Sequence, residues 1–259
     1  NNFMKKENLI LVHSFPTNSK ILCGFKDFLD DYFNVYFIDL PGFICEKKPL
    51  EKISIECFSK YLDKEIEKLN LKNYFLGGIS FGFLVVNETK VKPECKGILA
   101  IEPYLNSLSL NMNYAYKTSI GIFSNLIRSL SLEDKVWNTS FFRRMLEKGG
   151  SPEKYIDIII SDIHPRTFFS VLNILLKIKE VPKLNHKNYI LLINKDDATI
   201  AAGAIIKFFK TNAKDLNIFY QKSEHYPKNV TKAYFKRKIP RSQICKIIKV
   251  IEEISDRKA

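Results

Sequence analysis

The chain has 259 residues, 46% of them hydrophobic and 13% aromatic. That is enough for one large α/β domain carrying a modest insertion, and too apolar for wholesale disorder. A formal charge of +13 first suggests nucleic acid or an anionic membrane, but 34 of the 41 basic residues are Lys, spread along the whole chain; bidentate recognition of phosphates and bases favours Arg, so no nucleic-acid partner is expected.

In chain order, short apolar runs alternate with amphipathic stretches. Runs nearly continuous in Leu, Ile, Val, Phe or Tyr occur at 8–14, 34–40, 73–79, 96–102, 188–194 and 216–222, the pattern of strands buried on both faces of a parallel sheet. Between them, helical patterns are predicted at about 19–31, 54–69, 81–91, 199–212 and 242–255. In the second of these, Ile55, Phe58, Leu62, Ile66 and Leu69 recur at helical spacing behind Ser54, a ready N-cap. The alternation predicts a doubly wound α/β sheet. It breaks only from Tyr104 to Val181, where nearly eighty residues read as helical or irregular; such a span is too long for an ordinary crossover and predicts a helical insertion at 104–181 over a core of 1–103 and 182–259. The basic stretch "KNVTKAYFKRKIPR" at 228–241 reads as a solvated loop.

No apolar run is long enough for a membrane span, and the apolar run at 8–14 is too short for a signal peptide. Five cysteines form no CxxC pair, which argues against a disulfide scaffold or zinc ribbon and predicts reduced thiols in a cytoplasmic protein.

The chemistry concentrates at Gly78-Ile79-Ser80-Phe81-Gly82, a G-x-S-x-G pentad between a predicted strand and a predicted helix. There the chain must reverse sharply, and the flanking glycines remove side chains that would collide at the apex. A nucleophilic serine needs a base, and the base an orienting acid. Of four histidines, His225 follows the last predicted strand, on the sheet edge that presents Ser80. Three acids share that edge: Asp196 and Asp197 in "LLINKDDATI", and Glu102 after "ILAIE".

These segments together resemble the α/β-hydrolase superfamily. "LILVHSFPTN" is similar to the family's strand and oxyanion loop, "VYFIDLPGF" to the following strand and its Asp-x-Pro-Gly turn, and "GGISFG" to its nucleophile elbow; "YILLINKDDATI" and "SEHYP" resemble the acid and base loops. The resemblance implies a mostly parallel sheet of about six strands, the fold without its first two strands, with the insertion as a lid. It assigns the catalytic roles to Ser80, Asp197 and His225, the oxyanion hole to the backbone of Phe15 and Phe81, and substrate contacts to His13, Ser14, Phe123 and Phe168. Two departures stand out: Ser14 where the family carries Gly, and bulky Phe83 behind the elbow.

The expected activity is hydrolysis of a small or medium acyl ester, as in a carboxylesterase or lipase, with no cofactor and no metal. A thioesterase, a carbon–carbon bond hydrolase and a non-catalytic binding module share the same scaffold.

Overall fold

The computed structural model describes residues 6–225, 227 and 229–256. Six strands form one sheet: β1 (Asn8–Val12), β2 (Asn34–Ile38), β3 (Tyr74–Ile79), β4 (Cys95–Ile101), β5 (Asn188–Ile193) and β6 (Asp215–Tyr220). Every pairing is parallel, in the order β2-β1-β3-β4-β5-β6. All six fall on the runs the sequence marks as strands, β4 and β6 each starting one residue earlier, because a strand covered on both faces keeps its apolar character along its length.

Alternate side chains serve opposite faces. Ile10, Val12, Leu76, Ile98 and Leu191 pack with α2 (Ile55–Leu69), α3 (Phe81–Asn87) and α9 (Ala202–Asn212). Leu9, Leu11, Phe75, Leu99 and Leu192 pack with α1 (Cys23–Leu29), α10 (Lys232–Lys238) and α11 (Arg241–Asp256). The Ser54 side chain accepts from Cys57 N–H at 3.1 Å and starts α2 as its spacing predicts. Helix α3 is shorter than the predicted 81–91 and stops at Asn87.

The described part of the 228–241 segment differs from the expected solvated loop. Thr231 caps α10, whose Tyr234 and Phe235 are buried, with the Phe235 ring 4.6 Å from that of Phe25. Two of its lysines, Lys232 and Lys236, pair with Asp31 at 2.6 and 3.1 Å. The charge run is one face of a packed helix.

Between β4 and β5 come a short 3-10 turn (Ser107–Ser109) and five helices: α4 (Tyr114–Ser129), α5 (Glu133–Trp137), α6 (Ser140–Lys148), α7 (Glu153–Asp162) and α8 (Pro165–Lys177). Trp137, Phe142, Phe168 and Phe169 form their shared aromatic core. The stem closes by hydrogen bonds from Ser107 N–H to Ile178 O at 2.7 Å and from Asn106 Nδ2 to Lys179 O at 2.8 Å. Asp162 fastens the insertion to the loop after β1, meeting Lys20 at 2.9 Å and Asn18 Nδ2 at 3.1 Å.

Candidate active site

The strand order reverses between β1 and β3, and open α/β sheets form their ligand crevice outside the carboxyl ends of strands at such a point. Two of the loops that border it here are His13–Phe15 after β1 and Ser80 after β3, brought side by side by the pairing of Val12 with Gly78.

Ser80 occupies a strained backbone state, φ 49° and ψ −112°, the kind of outlier that costs about 1–3 kcal/mol and persists only where its surroundings enforce it. The enforcement is visible. Ser80 N–H donates to Ile101 O at 2.9 Å, while Ser80 O accepts from Phe83 N–H at 3.0 Å and Tyr104 N–H at 3.2 Å. A Cβ at Gly82 would lie 2.6 Å from the carbonyl oxygens of both Val12 and His13, and one at Gly78 2.6 Å from Phe83 Cα. The two glycines let α3 lie directly on β1 and on the elbow.

The structure brings Ser80, His225 and Asp197 together. His225 Nε2 is 3.1 Å from Ser80 Oγ, and its Nδ1 is 3.5 Å from Asp197 Oδ2. Asp197 Oδ1 accepts from the backbone N–H of Thr199 at 2.6 Å and Ile200 at 3.1 Å, which fixes the carboxylate in its loop. Burial pushes the Asp197 carboxyl up, but the His225 imidazole and these two amides outweigh it and hold it below its ordinary value. Asp196 is exposed, and its N–H donates to Asn194 Oδ1 at 3.0 Å.

Glu102, the third acid of this edge, is buried at φ 44° behind the pair. Its Oε1 accepts from Asn194 N–H and from Gln221 Nε2, both at 2.6 Å. Burial, with the added charge of Asp197, pushes its carboxyl up to about 8 against those two donors. Sequence reading marks Glu102 only as a rival acid; Gln221, the last-but-one residue of its run, carries no signal of its own.

A cavity of about 340 Å³ opens between the sheet edge and the insertion, lined by Phe15, Ser80, Tyr104, Met145, Phe168 and Leu172 and reaching His225. Its walls are mostly apolar. A smaller recess of about 50 Å³ lies beside Ser80 and is lined by Ser14, Glu102, Gln221 and Ser223. Of the expected substrate contacts, Phe168 and Ser14 therefore border these spaces. His13 and Phe123 are not among the residues lining them. His13 is fully buried, accepts from Leu40 N–H at 3.1 Å on Nε2 and contacts Ser14 O at 2.9 Å through Nδ1, so it braces the loop after β1. Phe123 packs on Phe141 within the insertion, ring centroids 5.5 Å apart. Asp39 likewise ties that loop down, accepting from Ser19 N–H and Oγ at 2.7 and 2.5 Å.

A histidine–thiol contact, Cys95 Sγ to His186 Nδ1 at 3.8 Å, lies at the opposite, amino end of β4. Burial pushes the thiol up to about 12 and the imidazole down to about 4, so neither is charged at neutral pH.

No protein-family model and no curated protein matches the sequence. Solved structures do match, over nearly the whole chain. A thermophilic esterase from Thermogutta terrifontis superposes with TM-score 0.64 at 16% identity, covering 96% of this chain and 90% of its own. An epoxide hydrolase from Bacillus megaterium gives 0.65 at 13% identity, with 98% and 94% covered. The bottromycin epimerase BotH gives 0.65 at 12% identity, with 96% and 91% covered. This chain has the α/β-hydrolase fold: one all-parallel six-stranded sheet wound on both faces by helices. Since these neighbours include an epimerase beside hydrolases, the fold alone does not choose the reaction; the side chains at the sheet edge do.

Proposed function

We propose that this chain is a serine hydrolase that cleaves carboxylic esters through an acyl intermediate on Ser80. The observation that carries the reading is the 3.1 Å contact of Ser80 Oγ with His225 Nε2, backed by Asp197 at 3.5 Å from the other ring nitrogen. In this reading Nε2 takes the hydroxyl proton as Oγ attacks the ester carbonyl, and the Asp197 carboxylate holds the Nδ1–H tautomer and stabilises the imidazolium. The imidazolium returns the proton to the departing alkoxide; water, activated by the same ring, then releases the acid and restores Ser80.

The oxyanion falls to the backbone N–H groups of Phe81 and Phe15. Phe81 opens α3, and first-turn amides lack an intrahelical acceptor. Each such donor contributes on the order of 3 kcal/mol of transition-state stabilisation. A hydroxyl at the elbow supports acyl transfer over chemistry that needs a carboxylate nucleophile there. The apolar cavity under the insertion, which acts as a cap in this reading, favours an apolar acyl group, and the smaller recess, where Ser14, Gln221 and Ser223 stand among Leu22, Phe25 and Phe235, suits the leaving alcohol. A small-molecule ester is the partner implied, and no step calls for a cofactor. Among the described residues no helix is long and apolar enough to cross a membrane.

Labelling by a fluorophosphonate probe tests the reading. The wild type is expected to label at Ser80 and Ser80→Ala not at all. A folded wild type that binds acyl ligands without labelling would establish a binding module instead. Matched oxygen esters and thioesters graded by chain length then separate esterase from thioesterase, with the esters expected to turn over faster.

A further inference from the structure

Behind the three proposed catalytic groups stands a fourth ionisable side chain. A carboxylate oxygen of Glu102, one of Asp197 and a ring nitrogen of His225 all lie within 4.8 Å of one another. We propose that Glu102 is a positioning residue of this triad: one of its oxygens fastens the acid and base loops to the end of β4, and the other supplies a second carboxyl beside the Asp197–His225 pair. The inference rests on the serine-hydrolase reading above.

The fastening is direct. Glu102 Oε1 accepts from Asn194 N–H, three residues before Asp197, and from Gln221 Nε2, four residues before His225. Asn194 Nδ2 in turn donates to Ser223 O at 3.0 Å, joining the two loops to each other. Glu102 N–H donates to Leu192 O at 2.9 Å, so the residue is pinned by its backbone as well. Its φ of 44° is one that glycine adopts freely and a long side chain does not. A carboxyl held in strain, 4% exposed, is a costly element unless it acts on its neighbours.

The second oxygen gives that action. Oε2 is buried and has no hydrogen-bond partner among the described residues. The titratable groups facing the carboxyl are Asp197, from the loop after β5, and His225, from the loop after β6. Protonated, Glu102 leaves Asp197 as the sole negative charge beside the ring. Ionised, it adds a second, which stabilises the imidazolium formed as Ser80 attacks. Its shift up to about 8 puts that change inside the working range of an imidazole base. If Asp197 is neutralised, the repulsion on Glu102 is relieved and its carboxylate can serve the ring in place of the missing one.

Fluorophosphonate labelling rates of the wild type, Glu102→Gln, Asp197→Asn and the double variant, each across pH 6–9, test this, with ester kcat and KM measured alongside. The wild type is expected to show a rise near pH 8 that Glu102→Gln lacks. Asp197→Asn is expected to label at least tenfold faster than the double variant. Glu102→Leu, which strips the acceptor from Asn194 and Gln221, should lower kcat at least tenfold with KM within twofold, and Glu102→Gln should recover most of it. If Glu102→Leu fails to fold, the Gln variant and the double variant still decide. A Glu102→Gln profile superposable on the wild type, or equal rates for Asp197→Asn and the double variant, overturns the inference while leaving the serine-hydrolase reading intact. A wild type that never labels removes both.

Discussion

Glu102→Gln should also change how stability depends on pH, in a measurement that needs no substrate. Folding takes the carboxyl from an ordinary 4.5 to about 8. Between those limits the folded chain holds a proton that the unfolded chain has released, so stability falls as pH rises through the interval. The contribution is complete below about pH 4.5 and exhausted above about 8. At roughly 1.4 kcal/mol per pH unit, the loss over that interval is about 5 kcal/mol. Glutamine keeps the Oε1 acceptor for Asn194 and Gln221 and cannot ionise. The variant should therefore match the wild type near pH 5, exceed it increasingly up to about pH 8 and hold a constant margin beyond. For a chain of this size, a difference of that order corresponds to about 10 °C or more in Tm. Thermal melts of both proteins at half-unit steps from pH 5 to 9 give the curve. A Tm difference constant across the series would mean that Glu102 titrates alike folded and unfolded, and the account of its burial would be wrong.

Three further outcomes follow from the same geometry. Asp197→Asn should lower the ester kcat roughly 100-fold or more, since the tautomer-holding carboxylate is lost; Asp196→Asn should stay within about threefold, its side chain being exposed. Equal losses in the two would show that the acid is not Asp197. Gly82→Ala places a methyl 2.6 Å from the Val12 and His13 carbonyl oxygens, so α3 must lift from β1. A loss of about 1–3 kcal/mol in urea unfolding, with slower labelling of Ser80, is expected. Phe235→Ala empties a buried site against Phe25 and should cost about 3–5 kcal/mol; an exposed loop at 228–241 would instead leave urea midpoints unchanged.

Much of the architecture is legible in the residues because the sheet is buried on both sides. Each strand then announces itself as a short apolar run, and the residue that follows each run is placed on the carboxyl edge by topology alone. Ser80 and His225 are placed there this way, together with three acids, Glu102, Asp196 and Asp197, among which only the family resemblance singles out Asp197. Three features are not legible, each for a physical reason. Helix α10 is hidden because its lysines outnumber the two aromatic residues that dock it, and Asp31, which pairs with those lysines, is distant in sequence. His13 looks like a site residue by type, but its ring is spent on Leu40 N–H, a contact set by how β2 runs beside β1. The Glu102 junction joins residues 92 and 119 positions apart and exists only once β4, β5 and β6 are in register.

The closed stem of the helical insertion has a consequence for how the protein could be altered. The chain leaves the sheet after Glu102 and comes back to itself within a hydrogen bond, Ser107 to Ile178. The intervening segment thus enters and leaves the sheet framework at one neck of two polypeptide crossings, with Asp162 tying it also to the loop after β1. Grafting a different helical assembly onto that neck would reshape what the crevice admits while leaving Ser80, Asp197 and His225 on their own loops.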